Sequence, residues 1–307
     1  MNPFLVPGCL DARTPLNPHK HHTHEEDYAD VDHTERQFVA FQDDFEKGDR
    51  VLREGRLVVV SGPNGSGKSA LVNRCVKWLD TVVRASDRHP VLVDLRRDRR
   101  DRGEVAKRIE FIAGRLVDEL RGHGILESGA EVAQRIDEPD RMFPLLSQAL
   151  GANTVLVVLL PPSGDLISEL IEYARFARAR LLFFGETAYW SSLRERRSEF
   201  HTAGGAPPLF LELGPLAAAD GETFWDFRLK RFRAYGSWPH GDAPPLVAEN
   251  RLRNLVSQRP MSIGELQLVL HALWEVLRAE SQQPESISDE HIWRAYNWLY
   301  QSGTGDR

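Results

Sequence analysis

Residues 57–70, LVVVSGPNGSGKSA, limit the possible folds of this chain more than any other part of its sequence. The stretch opens with an apolar, valine-rich run that lacks polar alternation, which predicts a strand buried on both faces of a parallel sheet. Glycines then allow the backbone to turn so that successive N–H groups point inward and form a cradle for an anion. The sequence therefore predicts a phosphate-binding loop between a buried strand and a helix.

The residue types of this loop indicate how it would hold a nucleoside triphosphate. Lys68 can reach the β- and γ-phosphates, and the Ser69 hydroxyl can bind Mg²⁺. Apolar residues recur at helical spacing over 70–79, and such a helix would direct its positive N-terminal end at the same phosphates. ATP and Mg²⁺ are thus the predicted ligands. The predicted binding positions are Gly62, Pro63, Asn64, Gly65, Ser66, Gly67, Lys68, Ser69 and Ala70.

Composition limits the class of protein. With 307 residues, 41% of them hydrophobic, the chain can form one large or two moderate globular domains. No apolar run approaches the roughly 20 residues of a membrane helix, and no secretory leader is recognisable, so a cytoplasmic location without membrane contact is predicted. Cys9 and Cys75 are the only cysteines, which indicates neither a disulfide framework nor a zinc site. A net charge of −6 means that nucleic-acid binding would need a local basic patch.

The first 33 residues differ in composition from the rest of the chain. They contain four prolines and the polar run HKHHTHEEDYADVDH at 19–33, so they predict an extended or partly disordered segment. Metal binding by the histidines is conceivable. Their spacing matches no familiar ligand pattern, however, so a solvated segment is the favoured interpretation.

Elements alternate in the next part of the chain. A capping-box pattern at Thr34 and three phenylalanines at helical spacing predict a helix from residue 34. Five apolar runs then predict strands, with helices between them, at 57–60, 89–95, 154–160, 181–184 and 209–213. This alternation is typical of a parallel α/β sheet sandwiched by helices. From residue 215 only helices are predicted, at 219–234, 245–257, 262–280 and 288–301.

This order of elements, with the loop GPNGSGKS after the first strand, resembles the P-loop ATPases of the AAA+ superfamily, especially the initiator-like and STAND-like branches. The resemblance covers about residues 34–301 and includes the passage FLELGPL at 210–216, where such proteins leave the sheet for the lid. It implies a nucleotide-binding domain at 34–214 and a small all-α lid at 215–307, which follow the extended or partly disordered segment that composition predicts at 1–33.

One family motif is missing. The third strand of the family ends in the Walker B acids, which hold Mg²⁺ and activate water, whereas this strand ends in Leu159-Leu160-Pro161-Pro162. Attack on the γ-phosphate needs an oriented water and a metal-ordering carboxylate. The sequence therefore predicts a degenerate Walker B motif and slow or absent hydrolysis.

Four carboxylates could replace the missing acids. Asp165 and Glu169 follow the third strand, and Asp94 ends the second strand, from where it could bind Mg²⁺ through water. Glu186 follows the fourth strand, where the resemblance places a residue that senses the γ-phosphate. Glu186 is also a candidate base, although an ordinary acid in the first turn of a helix explains it equally well.

Arginines could supply positive charge to the same chemistry. Arg194, Arg196 and Arg197 occupy the region from which AAA+ proteins extend an arginine finger into the nucleotide of a neighbouring subunit. A solvated helix face explains these arginines about as well. Arg259 resembles the sensor-2 arginine of the lid, although here it precedes the proline instead of following it.

The favoured function is an ATP-binding switch or assembly scaffold that acts in a homo-oligomer or with a partner protein. An initiator-like ATPase that contacts DNA through the arginine-rich run at 96–102 is the alternative, although two aspartates in that run favour a solvated loop. A P-loop small-molecule phosphotransferase is a further alternative, but it would leave the lid unexplained.

Overall fold

The computed structural model describes residues 2–6, 8–45, 50, 53–98, 103–126, 131–162, 167–202, 206–235, 246–247, 250–280 and 286–301. Contacts divide the chain into two compact units. We call Gln37–Gly62 with Cys75–Glu212 the sheet unit. The loop–lid unit comprises Met1–Arg36, Pro63–Arg74 and Leu213–Arg307. The phosphate loop and the C-terminal helices therefore belong to the same unit.

The sheet unit is built on five parallel strands in the order β2-β3-β4-β1-β5. The strands are β1 (Arg56–Ser61), β2 (His89–Asp94), β3 (Thr154–Leu159), β4 (Leu181–Thr187) and β5 (Leu209–Glu212). All five predicted strands are present. Strand β1 is buried along its whole length, as its continuous apolar run indicates.

Helices pack against this sheet. They are α1 (Thr34–Phe45), α2 (Lys68–Ala85), α3 (Val105–Gly122), α4 (Pro139–Ala149), α5 (Ile167–Phe176), α6 (Trp190–Glu195) and α7 (Arg197–Thr202), and α1 and α2 contribute residues to both units. The predicted apolar face of α1 is buried, with the Phe41 ring 5.8 Å from that of Phe184. A second aromatic group joins α4 and α5, where the rings of Phe143 and Phe176 stack at 4.9 Å.

The C-terminal part of the loop–lid unit contains α8 (Asp220–Tyr235), α9 (Arg251–Ser257), α10 (Ile263–Arg278) and α11 (Asp289–Gln301). A two-stranded parallel sheet, β6 (Leu246–Val247) with β7 (Ser286–Ile287), accompanies them. The prediction of helices alone was wrong here, since the helix predicted at 245–257 begins only at Arg251 and residues 246–247 form β6. Two-residue strands were missed because they carry no measurable periodicity.

The C-terminal region carries five of the seven tryptophans, a composition that predicts a small core filled by large rings. Trp225 and Trp274 are buried and Trp298 packs at the edge of the core, whereas Trp293 is 66% exposed. Trp238 lies outside the described residues. Two of the large rings therefore form the predicted small core, and Trp293 does not contribute to it.

The N-terminal segment has irregular backbone apart from a 3₁₀ helix at His22–Glu26, yet it is anchored within the loop–lid unit. Phe4 is fully buried, with its ring centroid 5.1 Å from that of Trp225. The buried Arg228 donates hydrogen bonds to the carbonyls of Pro3 (2.9 Å) and Leu5 (3.1 Å). The polar composition that predicted an extended or partly disordered segment conceals these few apolar and backbone anchors.

Across the described part of the chain, no helix combines the length and the apolar character needed to cross a bilayer.

Candidate nucleotide site

The phosphate loop follows β1 directly. Gly62 donates its N–H to the Thr187 carbonyl (3.2 Å), which fixes the departure of the chain from the sheet. The loop then turns through Gly65 (φ 78°) and Gly67 (φ 85°), whose left-handed backbone conformations are rare for residues other than glycine. Helix α2 begins at Lys68. The predicted order of strand, glycine loop and helix is therefore confirmed in the backbone.

Polar side chains of the loop fit a phosphate ligand. The Lys68 ammonium donates to the Pro63 carbonyl at 2.8 Å, so it lies over the loop itself. The Ser66 hydroxyl is buried and makes no hydrogen bond within the described residues. An orphaned buried hydroxyl and a lysine folded over two left-handed glycines suit an incoming triphosphate, because each would gain an anionic partner. Ser69, at the start of α2, provides the hydroxyl that suits Mg²⁺.

The first turn of α10 contacts this loop. Gly264 donates its backbone N–H to the Gly65 carbonyl at 2.8 Å. Ser262 and Glu265 have the sequence spacing of a capping box, which predicts a helix start. The box is present, since Ser262 accepts the N–H of Glu265 and Glu265 accepts the N–H of Ser262. A Cβ atom added to Gly65 would lie 2.6 Å from the Ser262 Oγ, which shows how tightly the two segments pack.

Arg259 was the residue that the resemblance nominated for contact between lid and nucleotide. Its side chain is 55% exposed, and its guanidinium lies 3.6 Å from the Glu265 carboxylate. The observed link between loop and lid instead runs through Ser262 and the backbone of Gly264. The capping-box pattern predicted the helix start but gave no sign of its neighbour.

The N-terminal segment contacts the first turns of α2. The Tyr28 hydroxyl donates to the Ala70 carbonyl (3.0 Å), and the Arg74 guanidinium lies 5.0 Å from the centre of the Tyr28 ring. Asn73 donates from its side chain to the Leu16 carbonyl at 2.7 Å. Sequence reasoning missed these contacts because it treated the segment as solvated.

The end of β3, in the sheet unit, carries no acidic residue up to Pro162. Leu159 and Leu160 are each 1% exposed, so this strand end is part of the core. Asp94 pairs with Leu159 in the sheet register and ends the adjacent strand. Both of its carboxylate oxygens are held by Arg96, at 2.8 and 2.7 Å. The acid at this edge is therefore already engaged in a two-point ion pair.

Glu186 lies on β4 and pairs with Val60 of β1 in the sheet register. Its side chain is 11% exposed, and Arg96 approaches its carboxylate at 3.8 Å. Arg96 therefore joins the acids of two strands, Asp94 and Glu186, at the carboxyl edge of the sheet. Glu186 belongs to the strand itself and not to the first turn of a helix, which removes the simpler explanation for its presence.

Glu169 and Asp165 are the other two candidate acids. Glu169 is buried in α5 and forms an ion pair with Arg108 at 2.8 Å. Burial raises the pKa of the Glu169 carboxyl, and the charge of Arg108 opposes that rise. The Glu169 carboxylate is thus committed to a buried pair. Asp165 lies outside the described residues.

The three candidate finger arginines contact groups of their own chain. Arg194 pairs with Glu212 at 2.7 Å and lies over the Trp190 ring. Arg196 holds Glu199 through two hydrogen bonds, of 2.7 and 2.8 Å. Arg197 lies over the Phe210 ring, 4.6 Å from its centre. Their predicted role in a neighbouring subunit stays a prediction.

Comparisons with known proteins place the fold. No profile of a known protein family matches the sequence, and no curated protein matches it either. Among solved structures, the Aeropyrum pernix ORC1 protein in complex with DNA is similar, with a TM-score of 0.56 and 15% identity over 96% of this chain and 68% of that one.

Two further solved structures are similar. The ADP form of the Aeropyrum pernix ORC2 protein has a TM-score of 0.53 at 15% identity, over 85% of this chain and 67% of that one. The corresponding values for CDC6p from Pyrobaculum aerophilum are 0.51 and 15%, over 96% and 70%. At this identity the likeness concerns the fold. The chain has the α/β fold of AAA+ P-loop proteins, with a five-stranded parallel sheet and a helical C-terminal region.

Proposed function

We propose that this protein binds ATP with Mg²⁺ at the phosphate loop and acts as a nucleotide-dependent switch or assembly scaffold with weak or absent hydrolysis. The hydrogen bond from Gly264 to the Gly65 carbonyl carries this proposal. It joins the loop that would hold the phosphates to the first turn of α10, so a change in loop conformation reaches the lid without an intermediary. A switch requires a direct link of this kind between the site that binds the ligand and the element that responds.

Each loop residue has a part in binding. Backbone N–H groups around Gly65 and Gly67 hold phosphate oxygens, and Lys68 leaves the Pro63 carbonyl to pair with them. Ser69 contributes its hydroxyl to Mg²⁺, which when bound neutralises phosphate charge. Because Lys68 exchanges a neutral partner for an anionic one, its binding to the triphosphate gains a charge-assisted hydrogen bond.

Weak hydrolysis is supported by the apolar end of β3 and by the ion pair that occupies Asp94. Without a metal-ordering carboxylate and a general base, transition-state stabilisation falls much more than ground-state affinity. Among the candidate acids that the structure describes, Glu186 is the remaining carboxylate that could orient water, and Asp165, outside the described ranges, stays a candidate. An ATP-binding protein that turns over slowly retains its bound state long enough for that state to act as a signal.

Thermal unfolding with and without Mg-ATP tests the proposal. Ligand at about a hundred times its dissociation constant should stabilise the folded chain by roughly 2.7 kcal/mol. Lys68→Ala should lose this stabilisation, whereas Lys107→Ala should keep it, because Lys107 is an exposed lysine that pairs with Glu110 on α3. The absence of any shift in the wild-type protein would contradict ATP binding itself.

DNA binding is a second candidate function, and the similarity to ORC1 in complex with DNA favours it. Within the arginine-rich run, Arg96 pairs with Asp94 and Asp98 pairs with Arg115 at 3.0 Å, while residues 99–102 lie outside the described ranges. Arg99, Arg100 and Arg102 are therefore the residues to test. Duplex DNA affinity should fall steeply with salt and should drop when these three become alanine.

A matched triple replacement of Arg194, Arg196 and Arg197 provides the control for that measurement. A DNA affinity that both triple variants share with the wild-type protein would exclude Arg99, Arg100 and Arg102 as the contact. Binding to DNA only in the presence of Mg-ATP would unite the two candidate functions, because the nucleotide would then control the partner.

A further inference from the structure

Three metal-ligating side chains meet in the N-terminal segment. One ligand atom from each of Cys9, His21 and His24 lies within 4.8 Å of the others. His21 caps the 3₁₀ helix at His22–Glu26, where side chains three residues apart eclipse one another. The two imidazole rings accordingly lie 4.7 Å apart between centroids, at 33°. The cluster follows from local geometry that the spacing of the histidines alone does not reveal.

Gly8 gives the cluster its room. Its φ of 77° brings the chain past His21, and a Cβ atom at this position would lie 3.2 Å from the His21 Nδ1. Cys9 follows immediately and is 9% exposed, while His24 is fully buried. Two of the three ligands are therefore shielded from solvent, and His21 is the partly exposed member.

We propose that Cys9, His21 and His24 form a zinc site, with water as the fourth ligand. One thiolate and two imidazoles suit Zn²⁺ in softness and in number. Bond lengths of about 2.3 Å to sulfur and about 2.0–2.1 Å to nitrogen require the ligand atoms to draw in by about 1 Å, within the range of small side-chain rotations. Zn²⁺ displaces the proton of the Cys9 thiol, which is released to solvent as the zinc–sulfur bond forms.

Zinc binding at His24 would be coupled to a neighbouring turn. Asn17 donates its backbone N–H to the His24 Nδ1 at 2.9 Å, and zinc on Nδ1 would displace this donor directly. A neutral ring with zinc on Nε2 carries its proton on Nδ1, where two donors would then face each other. The turn at Asn17 must shift to relieve this conflict. His24 is thus a ligand whose binding changes the backbone beside it.

That turn leads to the helix of the phosphate loop. The carbonyl of Leu16, adjacent to Asn17, accepts the hydrogen bond from Asn73 on α2. Gln267 on α10 donates to the Ala12 carbonyl at 2.8 Å in the same segment. A zinc ion at the cluster would therefore fix a segment that touches both α2 and α10. The metal would thus stabilise the contacts of this segment within the loop–lid unit.

Cobalt substitution tests the site in the full chain. After removal of metal with a chelator, titration with Co²⁺ should give a thiolate-to-cobalt charge-transfer band that saturates at one equivalent and disappears when Zn²⁺ is added. Cys9→Ser should abolish the band, and His21→Ala should weaken Co²⁺ binding by at least about tenfold. His22→Ala and Cys75→Ala are the matched controls, and both should keep the band.

X-ray absorption of the zinc-loaded wild-type protein makes the test independent of variant folding. The zinc shell should contain one sulfur at about 2.3 Å and two imidazole nitrogens at about 2.0–2.1 Å. A shell made only of nitrogen and oxygen would overturn the proposal. So would a chelator-treated, folded protein that binds no Zn²⁺, or a charge-transfer band that survives Cys9→Ser.

Discussion

Replacing Gly65 by alanine should separate the two demands that the phosphate loop places on this residue. The first demand is conformational, because φ is 78° and an L-residue in the left-handed region costs about 1–2 kcal/mol. The second is steric, because the new Cβ would lie 2.6 Å from the Ser262 Oγ and 3.8 Å from the Gly264 Cα. Only the serine contact is prohibitively short.

The steric cost can be worked out from what Ser262 must give up. Moving its hydroxyl away breaks the N-cap of α10, which is worth about 1 kcal/mol. A displaced helix start also weakens the Gly264 hydrogen bond to the loop, worth about 0.5–1.5 kcal/mol. Gly65→Ala should therefore lower the free energy of unfolding by about 2.5–4.5 kcal/mol in total, and it should weaken ATP binding because the loop N–H groups are redirected.

A double-mutant cycle with Ser262→Gly resolves the two terms. Glycine is itself an acceptable N-cap that costs only a few tenths of a kcal/mol, and it removes the clashing hydroxyl. The double variant should thus be more stable than the sum of the single effects predicts, by about 1 kcal/mol or more. Gly122→Ala is the control, since a Cβ there meets nothing within 4 Å.

Urea unfolding followed by fluorescence, with Mg-ATP affinity measured in parallel, gives both readouts. A Gly65→Ala protein within 0.5 kcal/mol of wild type would refute the reasoning about the loop. Additive effects in the cycle would refute the contact with Ser262 while leaving the conformational argument intact.

Three other predictions follow from the site and its surroundings. Glu186→Gln should abolish the slow phosphate release of the wild-type protein while ATP binding persists, with Lys68→Ala as the contamination control; release at the wild-type rate in the Glu186→Gln protein would rule out Glu186 as the base, and wild-type turnover of several per second would contradict weak hydrolysis. ATP should promote oligomers in light scattering and the arginine triple variant should not form them; a wild-type monomer at every nucleotide and protein concentration would assign these arginines to their local contacts alone. Asp32 is 3% exposed, and burial raises its pKa to about 7 although the Gly214 N–H donates to it. The folded chain then retains a proton that the unfolded chain releases near pH 3.9, so wild-type stability should fall between about pH 4 and 7. In urea titrations, the free energy of unfolding should decrease less from pH 5 to pH 8 in Asp32→Asn than in the wild-type protein. An equal decrease in both proteins would contradict the argument that burial raises the pKa of Asp32.

The sheet could be predicted from the sequence because its signals are local. Buried parallel strands appear as continuous apolar runs, and all five strands lie within a few residues of their predicted bounds, as do α8, α10 and α11. The helix predicted at 245–257 instead begins at Arg251. The phosphate loop could equally be predicted from the sequence, because backbone conformation and charge require glycine, lysine and serine there. The domain boundaries at 33, 214 and 215 remain a prediction, since contacts group the residues differently.

The residues that surround the loop could not be predicted from the sequence, because they are brought there by contacts between residues far apart in the chain. Nothing in the pattern around Ser262 indicates that Gly65 lies beside it. The few apolar residues that anchor the first 33 residues stand among prolines and histidines, so average composition predicted an extended or partly disordered segment there. Cys9 and His21 likewise meet only because a glycine turn and a 3₁₀ helix bring them together.

The composition of the loop–lid unit also has a consequence for the order in which the chain folds. This unit draws on Met1–Arg36, Pro63–Arg74 and Leu213–Arg307, which are separated by most of the sheet unit. During synthesis from the N-terminus, the sheet unit is complete once residue 212 has emerged, whereas Gly65 must wait for Gly264 to be made. Such distant contacts form slowly, because the intervening chain must first be ordered. The phosphate loop is therefore among the first parts of the chain to be synthesised and among the last to acquire its final neighbours.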